Sequence, residues 1–412
     1  MMNRKHEDTC SGSERTSNAG LPVGRGRILV LASVLAVAPM VTGFPQVSSQ
    51  VKAHPVISHV REVGFVKSSL ASMRTGRNAT KSVLSTPGAP DPITAARSGA
   101  VTPVQGVAGA VTVVGVTWPK GATSAREQFQ IRTLTGATWS RWQPFDVDPA
   151  DGPDPTEAAA ATGGTSPYVV IGASKYEVRS LSTAPMATTA AKVQVVDPGT
   201  SVADSVQQAP GGAAAATIKP TIHTRAAWGA NESLRRAAPA YGRVRLGFVH
   251  HTDSSNSYTR DQVPAIIRGF YSYHVRSLGW NDIGYNFLVD RFGRTWEGRF
   301  GGMNRAVVGA QTLNYNAVST GVAAIGKFDA STVPSGMTAA FKRILAWKFS
   351  LAGIPATGTV LANGKYLQRV SGHRNGFPTA CPGRYLYAKL PEIRAGAAAI
   401  IAIKPPIVVT PR

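Results

Sequence analysis

The sequence predicts an α/β protein. A mixed sheet flanked by helices is expected over residues 218–404. A smaller all-β, sandwich-like domain is expected before it over 101–198, after a disordered N-terminal region. Three observations carry this expectation. Short runs separated by Gly, Pro and Asp turns fill 101–198, the pattern of an antiparallel sandwich. Strand-like and helix-like runs alternate after residue 218, the pattern of a sheet with helices packed on its faces. Between the two lies 197–216 (DPGTSVADSVQQAPGGAAAA), small, polar and marked by Pro and Gly. With 412 residues and 43% hydrophobic content, the chain has material for two cores.

In chain order, residues 1–40 form a signal-peptide region. Arg25 and Arg27 precede an apolar run at 28–40 (ILVLASVLAVAPM). That run is short for a bilayer span and right for a signal-peptide core. Ala36, Val37 and Ala38 have the sizes of a cleavage site, although Pro39 follows directly. Export is expected, with no transmembrane span in the mature chain. Residues 41–100, dominated by Ser, Thr, Ala, Pro and Gly, read as a low-complexity spacer. Strands are expected at 111–118 (VTVVGVTW), 128–134 (QFQIRTL), 139–145 (WSRWQPF), 168–172, 176–181 and 191–196. Residues 148–167 (DPADGPDPTEAAAATGGTSP) form a long polar loop. Trp118, Trp139 and Trp142 suit core and edge positions of a sandwich better than a carbohydrate-stacking face. This part carries no catalytic constellation.

Residues 199–217 read as a linker. Beyond it, strands are expected at 245–251 (RLGFVHH), 285–290 (YNFLVD), 295–298 and 319–326 (STGVAAIG). A helix is expected at 260–278, where Val263, Ile266, Ile267, Phe270 and Tyr271 recur at helical spacing. Further helices are expected at 337–351 and 389–403, the last stopped by Pro405 and Pro406 ahead of a tail at 405–412.

The chemistry concentrates at 371–383 (SGHRNGFPTACPG). His373 and Cys381 stand eight positions apart among Gly and Pro, so a loop can aim both at one point. Imidazole nitrogen with thiolate sulfur is a zinc-type donor set. The chain has two cysteines, Cys10 and Cys381. Removal of a signal peptide takes Cys10 with it and leaves one thiol without a disulfide partner. In an oxidising compartment such a thiol points to metal binding, reactivity or pairing between chains. A third ligand is available at His250 or His251. Neighbouring strand residues face opposite sides, so only one of them easily reaches a given point. His274, on an apolar helix face, reads as a structural residue.

The formal net charge is +22, from 44 basic and 22 acidic residues. A surplus of that size calls for a polyanionic neighbour. The sequence lacks zinc-finger spacing, a basic zipper and an aromatic RNA-binding signature, so no nucleic-acid partner is expected. It also lacks the HExxH helix of a zinc peptidase.

Four stretches resemble the family of peptidoglycan recognition proteins and type 2 N-acetylmuramoyl-L-alanine amidases. They are TRAAWGA at 224–230, FVHHT at 248–252, GWNDIGYNFLVDRFGRTWEGR at 279–299 and SGHRNGFPTACPG at 371–383. The resemblance covers about 218–403 and implies a zinc-dependent amidase domain. It favours His250 over His251 as a zinc ligand, with His373 and Cys381 as the other two. Family members without activity lack the cysteine, so Cys381 implies an enzyme over a binding-only recognition protein. Tyr285 resembles a tyrosine near the metal, and Thr379 stands where relatives carry Lys or Thr. Both are implied as catalytic. Thr252 and Arg299 are implied as substrate-binding residues. FGGMN at 300–304 and Gln311 depart from common family patterns and leave the stem-peptide preference open. The implied partner is peptidoglycan, with anionic cell-wall polymers attracting the basic chain. The implied location is secreted, extracellular or wall-associated.

Overall fold

The computed structural model describes residues 54–68, 98–120, 127–157, 161–182, 190–205 and 218–403. The apolar run at 28–40, Cys10 and the tail at 405–412 lie outside the described residues. Among the described residues, no helix is long and apolar enough to cross a membrane.

The Val111–Trp118 strand is buried at every position. Alternate side chains of a strand point to opposite faces, and here both faces are covered. Val114, Val116 and Trp118 enter a core shared with Phe129, Ile131, Tyr176 and Val178. Val111 and Val113 face the other way, into a core with Ile266, Ile267 and Phe270 of the Val263–Ser272 helix. The strand's own antiparallel sheet runs in the order His59–Val63, Lys192–Asp197, Val111–Trp118, Tyr168–Ile171. The facing sheet orders Val66–Lys67, Ser98–Val101, Lys175–Ser182, Glu127–Thr135 and Thr138–Trp139. Two antiparallel sheets thus share one core, as the short-strand pattern predicts.

Three expectations need correction. The stretch 41–100 is not a spacer throughout: His59–Val63 pairs with Lys192–Asp197, and Ser98–Val101 pairs with Lys175–Ser182. Their signal is faint because they are short strands that gain their burial from partners distant in sequence. The expected strand at 139–145 is broken into Thr138–Trp139 and Gln143–Pro144. Between them Trp142 turns fully inward, against the guanidinium groups of Arg132 and Arg179 at 4.8 and 4.4 Å. The linker expected at 199–217 is also docked at its start. Val202–Asp204 forms a helical turn capped by Ser201, and the Asp204 carboxylate pairs with Arg268 at 2.7 Å. These two facing sheets, a six-stranded sheet and the two-stranded Thr359–Ala362/Lys365–Gln368 ribbon belong to one compact unit, Gln50–Arg412.

The six-stranded sheet has the order Ile222–His223, Thr295–Glu297, Phe287–Val289, Ser319–Ala324, Leu246–His251, Val370–Gly372. All neighbours are parallel except Phe287–Val289 with Thr295–Glu297. A largely parallel sheet needs cover on both faces. Helices Ser335–Ala352 and Leu390–Ala402 pack on one face through Phe341, Ile344, Leu345, Ile393 and Ala397. The Val263–Ser272 helix packs on the other, and its π-helical extension Tyr273–Ser277 reaches the antiparallel sheets. There the Tyr273 hydroxyl donates to the Thr165 carbonyl at 2.9 Å. Its ring lies where a Cβ on Gly115 would be, so the strand needs glycine at that point.

Candidate functional site

Leu246–His251 and Val370–Gly372 run parallel in register, with Val249 opposite Gly372. The next residue on each strand path is a histidine. His250 and His373 therefore emerge side by side at one carboxyl edge of the sheet, the edge where open α/β sheets place their ligands. Their ring centroids are 4.7 Å apart, and both are fully buried. His373 opens a short helix, His373–Gly376, instead of lying in the expected loop, because Asn375 Oδ1 accepts the Gly372 N–H at 2.9 Å. The chain then loops back. The Arg374 N–H donates to the Cys381 carbonyl at 3.0 Å, and the Thr379 hydroxyl accepts the Cys381 N–H at 3.2 Å. This brings Cys381 Sγ to 3.7 Å from His250 Nδ1.

Ligand atoms of His250, His373 and Cys381 all lie within 4.8 Å of one another. For a zinc-sized ion with four tetrahedral ligands, a sulfur–nitrogen edge of about 3.6 Å is expected from ordinary bond lengths. The 3.7 Å separation fits. Neither ring nitrogen of His373 has a hydrogen-bond partner among the described residues, a costly arrangement that a cation would relieve. Burial holds the pKa of His250 well below its ordinary value and also lowers that of His373, which Asp148 opposes. Both rings are thereby kept neutral and able to ligate. Burial pushes the Cys381 thiol far up, opposed by the His251 backbone N–H at 3.4 Å. A cation at this point would reverse that burden and favour thiolate.

His251 takes the other face of the strand. Its Nδ1 accepts the Phe328 N–H at 3.4 Å, and Nε2 lies 3.7 Å from Asp253. His274 is enclosed: its ring stacks on Trp280 at 4.4 Å and Nδ1 accepts the Gly284 N–H at 3.2 Å. The Tyr285 ring lies 5.7 Å from that of His250 and its hydroxyl donates to Asp151 at 3.3 Å. Burial and the Asp151 carboxylate hold its pKa well above the ordinary range, so the phenol stays protonated. Thr252, expected as a substrate contact, is held inside the end of its strand. It is 2% exposed, and its hydroxyl meets Ser254 at 2.8 Å and the Gly326 N–H at 3.0 Å. It secures the strand end.

Sequence reasoning overlooked two sets of residues. Thr312 holds His250 from behind, its hydroxyl 3.2 Å from Nε2, which leaves Nδ1 for the cluster. The other set lies on the polar loop after Phe145. Asp148 Oδ2 stands 3.4 Å from His373 Nδ1, and Glu157 pairs with Arg299 at 2.5 Å. The loop is pinned further along, where Asp154 Oδ1 accepts the Asn314 N–H at 2.6 Å and the Leu313 N–H donates to the Ala150 carbonyl at 2.9 Å. One signal marked this loop in advance. In a chain of charge +22, residues 142–174 contain no Lys or Arg, while Asp146, Asp148, Asp151, Asp154 and Glu157 crowd its first half.

Comparison with known proteins places the site in a family. The profile of the family described as N-acetylmuramoyl-L-alanine amidase matches residues 240–384. Peptidoglycan-recognition protein SC2 of Drosophila simulans is 30% identical over 177 residues, which cover 43% of this chain and 88% of that protein. Peptidoglycan-recognition protein SC1a of Drosophila melanogaster is 33% identical over 147 residues, covering 36% and 72%. The N-acetylmuramoyl-L-alanine amidase of Homo sapiens is 33% identical over 174 residues, covering 41% of this chain and 27% of that protein. The matched profile spans both strands that carry the histidines and the return loop to Cys381, and the SC2 match takes in nearly the whole of that relative. This chain belongs to the family of peptidoglycan-recognition proteins and N-acetylmuramoyl-L-alanine amidases.

Proposed function

We propose that this protein is a secreted, zinc-dependent N-acetylmuramoyl-L-alanine amidase. It hydrolyses the amide between the lactyl group of muramic acid and L-alanine in peptidoglycan. The observation that carries the proposal is the buried convergence of His250, His373 and Cys381. When bound, zinc supplies Lewis-acid polarisation of a carbonyl and makes water acidic enough to react near neutral pH. The protein supplies the rest. His250 and His373 present neutral nitrogens, and Thr312 holds the ring of His250 in place. Tyr285, kept protonated by its surroundings, donates a hydrogen bond to the carbonyl oxygen as negative charge grows there. Thr379 shapes the return loop through the Cys381 N–H and keeps its own proton available for the same oxygen. Arg299 offers a guanidinium to a stem-peptide carboxylate. The basic surplus concentrates the protein on a wall bearing anionic polymers.

The test assays zinc content and product together on the purified chain. One zinc per chain, removable by chelation, is expected. Stem peptide with a free L-alanine amino group is expected to appear, to vanish on chelation and in Cys381→Ser, and to return on zinc addition to the chelated wild type. Cleavage within the stem would identify a peptidase and sink the amidase. Tight peptidoglycan binding with no release from the zinc-loaded chain would leave a recognition protein.

A further inference from the structure

We propose that the cavity between the Val111–Trp118 sheet, with its neighbouring loops at 147–153 and 161–167, and the stretch 274–280 is a sugar subsite. It takes an N-acetylhexosamine residue of the glycan strand. This assignment rests on the amidase function proposed above, and it gives the first half of the chain a part in recognition.

The cavity has a volume of about 350 Å³, the size of a small-molecule site. Most of its wall comes from outside residues 240–384, the part that the family profile matches. Trp118 and Trp280 bring indole surface to it, and both are more than nine-tenths buried. Trp118 belongs to the core between the two antiparallel sheets, where it stacks on Phe129 at 5.5 Å, and it also borders the cavity. Gly163 and Gly164 form another part of the wall. A Cβ on Gly163 would run into Trp118 and one on Gly164 into Leu278, so the wall closes there only with bare backbone.

Residues bordering this space carry polar atoms without partners. Trp118 Nε1 and Asp151 Oδ1 are buried and make no hydrogen bond with the described residues. His274 is 2% exposed, and its Nδ1 accepts the Gly284 N–H at 3.2 Å. The proton of the neutral ring therefore stands on Nε2, where no described residue accepts it. Buried polar atoms left this way are costly, and a bound molecule would satisfy them. Both donors are neutral ring N–H groups, which suit a hydroxyl or an amide carbonyl better than a free anion. Asp151 offers an acceptor to a hydroxyl, and indole surface covers the C–H face of a pyranose. An N-acetylhexosamine brings hydroxyls, an acetamido carbonyl and an apolar ring face together in one residue.

The cavity also adjoins the chemistry. Asp148 and Asp151 line it, and the same carboxylates meet His373 at 3.4 Å and the Tyr285 hydroxyl at 3.3 Å. A sugar held there lies one loop away from the metal cluster, close enough to hold the glycan strand in register while its neighbour presents the lactyl amide.

The experiment uses the full chain in its zinc form with chitotetraose, an N-acetylglucosamine oligomer that carries no stem peptide. Trp118→Phe removes one ring N–H and keeps an aromatic ring in the core. Ser166→Trp fills the cavity from its half-buried wall. Calorimetry should show saturable binding of chitotetraose to wild type, about fivefold weaker in Trp118→Phe and lost in Ser166→Trp. KM for polymeric peptidoglycan should rise about fivefold in Trp118→Phe, while release from a glycan-free lactyl–L-alanine peptide stays at the wild-type rate. No saturable binding to wild type, or equal affinity in all three proteins, would overturn the subsite and leave a cavity that holds water only. Stem-peptide release without chitotetraose binding would remove the subsite and leave the amidase standing. Binding that weakens in the variants, with no release from any form, would uphold the subsite and defeat the amidase. Should Ser166→Trp fail to fold, Trp118→Phe decides: weaker chitotetraose binding supports the subsite, and unchanged affinity refutes it.

Discussion

His250 and His251 are adjacent in the sequence and opposite in fate. Strand alternation says that only one can reach a given point, and it leaves the choice open. The structure gives His250 to the cluster and His251 to the Phe328 backbone. His373 and Cys381 were legible from donor chemistry and a Gly/Pro loop. Thr312 was not, because nothing in GAQT announces that a hydroxyl will meet an imidazole 62 positions earlier. Thr312→Val should lower zinc affinity about tenfold while the fold is retained, since outer partners orient ligands. Chelator competition beside a circular dichroism spectrum checks this, and unchanged affinity would remove Thr312 from the site. His274 gives a pH signature. Burial and Arg299 lower its pKa from 6.5 to about 3. Below pH 6.5 the unfolded chain takes up a proton that the folded chain refuses. The stability from neutral His274 is therefore full above pH 6.5 and lost as pH falls toward 3, on the order of 1 kcal/mol per unit. Urea midpoints of metal-free protein at pH 7 and 5 should separate, and His274→Gln should narrow the gap. An equal gap in the variant would reject the assignment.

At the scale of elements, long and patterned segments were readable. The strand at 111–118 appears with those limits, and the expected helix at 337–351 appears as Ser335–Ala352. Short strands were lost. Val370–Gly372 is three residues beside a Gly-containing loop, and only its parallel partner makes it a strand. The run VTVVGVTW was read as a sandwich strand, yet its second buried face belongs to a helix more than 140 positions later. Its glycine holds the consequence. Gly115→Ala would push a methyl group into the Tyr273 ring. Overpacking of this kind costs about 1–3 kcal/mol. Thermal unfolding should shift downward accordingly, whereas the same change at Gly106, which faces open space, should leave the core contacts intact. Equal behaviour of the two variants would argue against a tight seam between strand and helix.

Across the whole molecule, charge is read directly from the sequence and connectivity is not. The surplus of +22 is plain in the sequence, and a polyanionic neighbour is what it calls for. Binding to isolated walls should weaken between low and high ionic strength, because exposed charges are screened within about 10 Å at 0.1 M salt. Sedimentation with wall material measures it, and salt-independent binding would remove charge as the cause. Compositional breaks locate turns and loops but do not reveal whether flanking parts later pack together, as they do within the compact unit Gln50–Arg412. One further consequence comes from the parallel pairing of Leu246–His251 with Val370–Gly372. The edge that carries the histidines joins two segments more than a hundred positions apart in the sequence. A nascent chain that stops before Val370 lacks His373 and Cys381, and also Val370, Leu386, Leu390, Ile393 and Ala397 of the core under this sheet. A copy truncated there keeps the strand that carries His250 and loses the two donors that return to it.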